Sequence, residues 1–486
     1  MEKLSKLTKK YKNSPVQFKA SLWYLVCSVI QKGISVITTP IFTRLMSTYD
    51  YGKFNVFISW MNVLMVFFTL DIFWEVFEQG LVKFSERIDR FASSMQGLVL
   101  TLVCIWGIVY SAFYKFWNNL FLLSTVQMVL MFILIWTTAV FDFWAAEQRV
   151  KYKYKSLVAL TLVLSVLSPI VGIILVLFCK DKVTARIFAL AITQFFCYIG
   201  LFILQMKRGK TFFDKFFWRY ALSLSIPLIP HYLSQTILGS SDRIMIEKIV
   251  GASQAGIYSL AYSISLVMSI FNQALNATLG PWIFQKIKYK RTEDLSHVIY
   301  PAFIGIACVN LVLMAFAPEL VHIFAPKEYY EAIWIIPPIV MSVYFTFSYD
   351  IFCKFEFYYE KTRAIAAVTM IGAVLNILLN YYFINLTGYQ AAAYTTLFCY
   401  FLYGFCHYCL MHRICRIELN GNQPFSIRIL SVITICFLSI GFLFLISYSN
   451  MILRYGIILA FAIVLFAFRK KIRSFINTLG SMRSSV

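Results

Sequence analysis

The feature that most constrains this chain is a series of long apolar runs, each close to the length that crosses a bilayer. A helix needs about 20 predominantly apolar residues to span the hydrocarbon core. Fourteen segments of the 486-residue chain meet this condition. They are approximately 20–42, 54–76, 94–113, 120–143, 156–179, 185–206, 220–240, 255–278, 297–322, 331–352, 364–384, 390–411, 428–448 and 451–468. The sequence therefore predicts an all-α polytopic membrane protein with about 14 transmembrane helices.

Composition excludes the other broad classes of protein. The chain is 60% hydrophobic and 14% charged, whereas a soluble domain is about 25% charged. A soluble enzyme of this length could not bury so much apolar surface, and a disordered chain needs low hydrophobicity. An outer-membrane barrel alternates polar and apolar residues, which is not the pattern of these unbroken runs.

The basic residues indicate the topology. There are 44 Lys and Arg against 22 Asp and Glu, and the bases form short clusters between apolar runs. If the N-terminus is cytoplasmic, the cytoplasmic segments hold 33 bases and the opposite loops hold 10. This bias follows the positive-inside rule and places both termini in the cytoplasm. It also explains the net charge without nucleic-acid binding, and the basic N-terminus leads into a first transmembrane helix without a cleavage site.

An internal repeat divides the chain. Residues 44–54 match residues 248–258, and the pattern Asp142 to Lys155 returns as Asp350 to Arg363. The two offsets, 204 and 208 residues, nearly agree. We therefore expect two pseudo-symmetric six-helix lobes, 1–212 and 213–415, followed by two additional helices and a basic cytoplasmic tail, 416–486. Paired repeats of this kind place a substrate site near the membrane midplane.

No catalytic or metal-binding constellation emerges from the sequence. All loops are short, the five His are dispersed, and no phosphate-binding loop, dinucleotide fingerprint or zincin motif occurs. One set resembles metal ligands: Cys406, Cys409, His412 and Cys415. Steps of three residues on one helix drift by about 60° each, so four such side chains fan apart and do not converge on one ion. The sequence thus predicts a protein that is not an enzyme and needs no cofactor or metal.

Two predicted helices carry polar stripes. On the first helix the stripe consists of Ser28, Gln31, Lys32, Ser35 and Thr39. On the eighth helix it consists of Tyr258, Tyr262, Ser265, Ser269, Asn272 and Asn276. Steps of three and four residues place each set on one helix face. Such a face lines a water-filled cavity or makes hydrogen bonds between helices, and the mid-helix ammonium of Lys32 favours the cavity.

Other intramembrane groups are candidates for ion coupling or gating. Ionisable groups within spanning helices are expensive and are functional candidates by default. Asp142 and Asp350 occupy repeat-related positions, and the alternative role of Asp350 is a neutralised structural pair with Lys354. The seventh helix carries His231 between the hinge candidates Pro227 and Pro230 and the sequence Asp242-Arg243, which we interpret as an interfacial pair.

Three segments resemble one known family. They are residues 32–52, residues 241–262, and Tyr359-Glu-Lys-Thr-Arg363 with the downstream Asn376 and Asn380. All resemble bacterial polysaccharide flippases of the O-antigen (Wzx) type. This family belongs to the multidrug/oligosaccharidyl-lipid/polysaccharide exporter superfamily, and the resemblance covers roughly residues 20–415.

The resemblance implies a substrate and a path. The substrate would be an undecaprenyl-diphosphate-linked oligosaccharide, moved to the periplasmic leaflet of the bacterial inner membrane by alternating access through a cationic central cavity. Membrane lipid and the polysaccharide polymerase machinery are the implied partners. The diphosphate would contact Lys32, Arg44, Arg243 and Arg363. The glycan would contact Tyr258, Tyr262, Asn272, Asn276, Asn376 and Asn380. The coupling of a proton or sodium ion would use Asp142, His231 and Asp350.

Two alternatives stay open. A multidrug-type exporter of the same superfamily would have a smaller and more acidic cavity, whereas bases here rival acids near the midplane. A membrane glycan polymerase or ligase also has many helices, but such an enzyme usually carries a large external loop, and this chain has none.

Overall fold

A computed structural model describes residues 16–470 and 473–474, and these are almost entirely helical. No β-strand occurs in this described part of the chain. The predicted all-α membrane fold is therefore confirmed. The basic residues Lys3 to Lys12 and most of the basic tail lie outside the described residues.

The helices divide between two compact units, one ending at Ser240 and the other beginning at Ser241. The helices up to the division are α1 (Val16–Leu45), α2 (Thr48–Thr69), α3 (Glu75–Lys83), α4 (Ile88–Ala112), α5 (Tyr114–Phe121), α6 (Thr125–Val150), α7 (Tyr154–Phe178), α8 (Lys182–Gly209) and α9 (Lys215–Ile249). The division falls inside α9. The boundary at 212/213, which rests on the sequence repeat, stays a prediction.

The second unit contains the C-terminal end of α9 and the remaining helices. These are α10 (Ala252–Ser265), α11 (Ser269–Lys288), α12 (Leu295–Ala315), α13 (Ala317–Phe324), α14 (Ala332–Tyr358), α15 (Thr362–Thr387), α16 (Ala391–Glu418), α17 (Ile427–Ser447) and α18 (Met451–Ala467). The triplet α6–α8 recurs as α14–α16, with helix ends 207 to 209 residues apart. This spacing agrees with the repeat seen in the sequence.

Eleven stretches in the described residues are helical, long and apolar enough to cross a membrane. One of them combines α10 and α11, while α9 and α16 are long helices outside this set and α18 has 17 residues. Every one of the fourteen predicted segments is therefore helical, and the chain is a multi-pass membrane protein.

Three predicted spans needed correction. The predicted helix 54–76 ends at Thr69, because Leu70 and Asp71 adopt positive φ angles of 53° and 44°, a region that few non-glycine residues enter. A 3₁₀ turn at Leu266–Met268 separates α10 from α11, and the segment 297–322 breaks at Phe316. In contrast, α9 runs unbroken through Pro227 and Pro230, so the predicted hinge there stays a prediction.

A buried glutamate joins α6 to α8 in the first unit. The Glu147 side chain is 1% exposed. Its carboxylate contacts the Lys151 Nζ at 2.6 Å and the Arg208 Nη1 at 3.4 Å, and it accepts a hydrogen bond from Gln205 Nε2 at 2.9 Å. Gln205 in turn accepts a bond from Gln96 Nε2 on α4, at 2.7 Å. A buried charge is tolerated only when it is paired in this way, so the network fixes three helices together.

Helix α14 forms the centre of the second unit. It packs against α10, α11, α12, α15 and α16, and most of its side chains are buried. Its aromatic residues interlock with those of its neighbours: the Tyr344 ring stacks on Phe437 of α17 at 4.5 Å between centroids. Such aromatic pairs add to the stability from area burial, and they fix the rotation of α14 within the unit.

The loop between α1 and α2 is anchored on α8. The Arg186 guanidinium lies 3.8 Å from the ring centroids of both Phe42 and Phe54. Lys182 Nζ donates a hydrogen bond to the Leu45 carbonyl oxygen at 2.6 Å. Arginine stacks on aromatic faces better than lysine because its cation is planar and weakly hydrated. This arrangement gives Phe42 and Phe54, on either side of the loop, a structural role.

Replacing Arg186 with alanine should destabilise the first unit. Three cation–π contacts are lost, to Phe42, Tyr51 and Phe54, each worth about 0.5–1 kcal/mol or more when desolvated, together with the packing of the side-chain stem. Thermal unfolding of the purified protein in detergent should show a lower midpoint for Arg186→Ala and a smaller decrease for Arg186→Lys. The control is Arg90→Ala, because the Arg90–Asp214 ion pair at 2.9 Å is half exposed on its arginine side. Equal midpoints for the Arg186 and Arg90 variants would contradict the anchoring role.

Candidate functional site

The most developed polar site in the described residues surrounds Asp242 of α9, whose side chain is 4% exposed. Its carboxylate accepts hydrogen bonds from Tyr258 Oη at 2.6 Å, Asn380 Nδ2 at 2.7 Å and Thr396 Oγ1 at 2.8 Å. These donors come from α10, α15 and α16. All three donors are neutral, so these hydrogen bonds bring no positive charge to the carboxylate.

A second layer of amides and hydroxyls supports this carboxylate. Asn376 and Asn380 lie one turn apart on α15, and Asn380 Nδ2 also contacts Asn376 Oδ1 at 3.2 Å. Asn376 Oδ1 accepts a bond from Ser241 Oγ at 2.9 Å, and Thr395 donates to Asn380 Oδ1. We call Ser241, Asp242, Tyr258, Asn376, Asn380, Thr395 and Thr396 the Asp242 cluster. Carboxylate, amide and hydroxyl oxygens are the ligands of hard cations, so the cluster has the chemistry to hold one.

Asp242 and its neighbour Arg243 have different surroundings. Asp242 is buried in the cluster, while the Arg243 guanidinium lies 4.7 Å from the centroid of the Tyr262 ring. The Tyr258 and Tyr262 rings stack at 6.4 Å. The interpretation of Asp242 and Arg243 as an interfacial pair stays a prediction. The structure brings Tyr258 and Asn380 onto the Asp242 carboxylate, which the sequence did not indicate as the centre of a site.

Asn272 and Asn276, the last two residues of the predicted eighth-helix stripe, donate hydrogen bonds to α14. Asn272 is 4% exposed, and its Nδ2 donates to the Val343 carbonyl at 2.9 Å. Asn276 Nδ2 donates to Asp350 Oδ2 at 2.6 Å. Lys354 lies beside Gly280, where an added Cβ would be 3.5 Å from Lys354 Cε. Asp350 thus pairs with Asn276, and the expected Asp350–Lys354 ion pair does not form within bonding distance.

A cavity of about 330 Å³ lies in the first unit. Gln31, Ser35 and Thr38 of α1 line it together with Ser165, Ser168 and Tyr198. Two of the five residues of the predicted first-helix stripe, Gln31 and Ser35, therefore face a cavity of mixed polar and apolar lining. Lys32, half-buried near the middle of α1, is the next residue along that helix.

The remaining predicted groups are dispersed. Arg44, at the end of α1, is exposed and donates to the Pro40 carbonyl at 2.9 Å, and Arg363 is exposed in the first turn of α15. Asp142 of α6 lies within electrostatic range of Asp71 and Arg149. His231 contacts Gln235 at 3.3 Å between Nε2 atoms. Asp142 and His231 belong to the first unit and Asp350 to the second.

Part of the Asp242 cluster could have been found from the spacing of polar residues along two helices. Asn376 and Asn380 share a helix face, and adjacent threonines, Thr395 and Thr396, begin the next helix. The bond partners of Asp242 are 16, 138 and 154 residues away along the chain. Only the fold brings such distant groups together.

Comparisons with known proteins place the chain in a family. Residues 18–287 match the polysaccharide biosynthesis protein family, and residues 227–382 match the MatE family. The chain is 22% identical over 377 residues to Lsg locus putative protein 1 of Haemophilus influenzae, covering 74% of this chain and 89% of that protein. It is 21% identical over 369 residues to an uncharacterized membrane protein of the same species, covering 74% and 88%.

Solved structures show the same fold. The lipid II flippase MurJ in an inward closed conformation superimposes with a TM-score of 0.65 at 14% identity, covering 93% of this chain and 99% of that one. An inward-facing multidrug resistance MATE family transporter of the MOP superfamily gives 0.59 at 11% identity, covering 80% and 96%. The chain therefore shares its fold with a flippase and with a transporter. The chain belongs to the polysaccharide biosynthesis protein family and has the fold of the multidrug/oligosaccharidyl-lipid/polysaccharide exporter superfamily, as the sequence resemblance implied.

Proposed function

We propose that this protein moves undecaprenyl-diphosphate-linked oligosaccharide repeat units from the cytoplasmic to the periplasmic leaflet of the bacterial inner membrane. The observation that carries the proposal is the match of residues 18–287 to the polysaccharide biosynthesis protein family. The fold shared with a lipid II flippase supports it. The excess of bases in alternate loops supports cytoplasmic termini.

The physical task explains the polar groups of the first unit. A diphosphate with several sugars cannot cross about 30 Å of hydrocarbon without a polar path, whereas its lipid tail can remain in the bilayer. The cavity beside Gln31, Ser35 and Thr38 offers such a path. Lys32 supplies a cation next to it, and a cation strengthens hydrogen bonds to phosphate oxygens.

The predicted contacts divide into two groups in this proposal. Lys32, Arg44, Arg243 and Arg363 carry the charge that attracts the diphosphate, and Tyr262 and Asn276 are half-buried groups that suit a glycan. Tyr258, Asn272, Asn376 and Asn380 are buried and hydrogen-bonded to protein atoms. We assign them to the interior of the second unit and not to sugar contact.

We further propose that the Asp242 cluster binds the coupling ion. A carboxylate buried within a spanning region is a functional candidate by default, and its neutral oxygen-rich surroundings favour Na⁺. Alternating access would then depend on this ion. The polysaccharide polymerase machinery, which consumes the product, is the proposed partner.

Translocation in liposomes tests the transport proposal directly. Purified protein is reconstituted with a lipid-diphosphate-linked oligosaccharide on one leaflet, and an impermeant sugar-modifying enzyme reports what reaches the other. Protein-dependent appearance of the intact substrate is the expected result. A change in the glycan's length or carrier would instead identify a polymerase or ligase.

Lys32→Ala should slow this translocation by roughly tenfold to hundredfold, as expected from loss of one charge-assisted contact of about 1.5–3 kcal/mol. Protein amount and thermal stability should remain normal, because Lys32 is only half-buried. Lys32→Arg, which keeps the charge, is the matched control and should retain most activity. Unchanged transport by Lys32→Ala would remove this residue from the substrate path.

A multidrug-type exporter is the second candidate, and one observation favours it. Asp71 and Asp142 lie within electrostatic range of each other in the first unit, and such acids suit a cationic substrate. Uptake of cationic dyes by the same proteoliposomes, without movement of the lipid-linked glycan, would support this candidate.

A further inference from the structure

A second buried polar cluster occurs in the described residues, apart from the Asp242 cluster. Cys353 and Glu356 lie three residues apart on α14, and His407 lies on α16. Their side chains are 1%, 0% and 0% exposed. One ligating atom from each residue lies within 4.8 Å of the other two. We call these three residues the Cys353 cluster.

The hydrogen bonding of this cluster is incomplete. His407 Nδ1 lies 2.7 Å from Glu356 Oε1. The other two polar atoms of the pair, Glu356 Oε2 and His407 Nε2, are buried without a hydrogen-bond partner among the described residues. Buried polar groups are nearly always satisfied, and a native group left unpaired calls for an unseen partner such as water or an ion.

The repeat supplies an internal comparison. Glu147 near the end of α6 and Glu356 near the end of α14 are both buried, on corresponding helices of the two triplets. Two permanent cations, Lys151 and Arg208, contact the Glu147 carboxylate. In the part of the chain that the structure describes, Glu356 forms its ion pair with His407 alone. In the described residues, Glu356 therefore has no Lys or Arg ion-pair partner like those of Glu147.

We propose that the Cys353 cluster binds a divalent transition-metal ion of the Zn²⁺ class. Thiolate, carboxylate and imidazole are the ligand types that Zn²⁺ takes, at about 2.0–2.3 Å. The thiolate and the carboxylate cancel the charge of a divalent ion, and His407 binds as the neutral imidazole. A neutral assembly is what a buried intramembrane site requires, whereas a monovalent ion would leave a net negative charge.

Binding needs only local adjustment. Tetrahedral ligands around Zn²⁺ lie about 3.5 Å apart, and one ligand atom from each residue already lies within 4.8 Å of the other two, so shifts of about 1 Å or less suffice. The thiol proton of Cys353 is released to solvent, and a water molecule takes the fourth position. Mg²⁺ and Ca²⁺ are disfavoured because thiolate is a soft ligand. The bound ion would join α14 to α16.

Cobalt substitution tests the site on the full-length protein. Chelator-washed protein in detergent is titrated with Co²⁺, and a thiolate-to-cobalt charge-transfer absorption is recorded. The expected result is one Co²⁺ per chain with this absorption, displaced by Zn²⁺. Cys353→Ser should abolish the absorption. The matched control is Cys415→Ser. Cys415 is also buried but lies on α16, outside the cluster, so this change should leave the absorption unchanged.

A second readout keeps the proposal independent of one variant. Zn²⁺ should raise the unfolding temperature of the wild type and of Cys415→Ser, because a ligand that binds only the native state stabilises it. Glu356→Gln, which keeps the thiol, should weaken Co²⁺ binding by roughly tenfold or more. No absorption in the wild type would overturn the proposal. So would an absorption that survives Cys353→Ser, which would point to the exposed Cys406 and Cys409.

Discussion

Replacing Asp242 with asparagine is expected to abolish ion-dependent transport while leaving a folded protein. Asparagine keeps the shape of the side chain but removes its negative charge. Its amide group also presents hydrogens to donors such as Tyr258 and Thr396, which now bond to the carboxylate at 2.6 and 2.8 Å. A cation loses its only charged ligand in the cluster. We therefore expect at least a roughly hundredfold loss of Na⁺-driven translocation, equivalent to about 2.7 kcal/mol.

The measurement combines transport with binding. Na⁺ should raise the thermal unfolding midpoint of the wild-type protein relative to K⁺, and Asp242→Asn should lose this stabilisation. Ser259→Ala is the matched control, because Ser259 is buried on α10, donates to the Ala255 carbonyl and lies outside the cluster. A transport rate in Asp242→Asn with the same Na⁺ dependence as the wild type would contradict the assignment. Equal loss in Ser259→Ala would indicate that both changes act through the packing of α10.

Replacing Glu147 with alanine should strongly reduce the yield of folded protein. Its carboxylate is buried, and three groups bond to it: Lys151, Gln205 and Arg208. Breaking a buried ion pair costs about 3–5 kcal/mol. Here the lysine and arginine side chains are 28% and 42% exposed, so water relieves part of that cost. We expect a destabilisation of about 2–3 kcal/mol.

Thermal unfolding and size-exclusion chromatography in detergent check this expectation. Glu147→Gln keeps the volume and an acceptor for Gln205, and it should lie between the wild type and Glu147→Ala. Glu78→Ala is the control for an exposed pair: Glu78 and Arg149 are 43% and 36% exposed, and such pairs contribute about 0–1 kcal/mol. If Glu147→Ala unfolds at the same temperature as Glu78→Ala, the network is not a stabilising element.

The fold was largely predictable because each membrane-spanning helix can be recognised from the hydropathy of its own segment. Apolar runs of about 20 residues mark the spans, and fourteen predicted segments are helical. The breaks were not predictable from hydropathy. At Leu266–Met268 the 3₁₀ turn itself contains no proline or glycine, and at Leu70–Asp71 the chain enters left-handed conformations that its residue types do not demand.

The candidate site was predictable only in part, because spacing along one helix does not report contacts with other helices. Spacing on one helix identified Asn376 and Asn380, and Asn380 Nδ2 donates to Asn376 Oδ1. It also led to the pairing of Asp350 with Lys354, four residues away. The carboxylate selects Asn276 instead, 74 residues earlier in the chain. Periodicity reports which residues share a face, but the partner opposite that face is set by tertiary packing.

The central position of α14 has a consequence for the order of synthesis. This helix leaves the ribosome before α16, and Glu356 meets His407 only 51 residues later. At about 5–20 residues per second, that interval is roughly 3 to 10 s. During this time Glu356 has no partner from α16 and must be held by water, by lipid head groups or by the insertion machinery. A chain truncated before α16 would therefore present an unpaired acid in the membrane. This acid is a chemical signal by which the cell's protein quality-control machinery detects incomplete assembly.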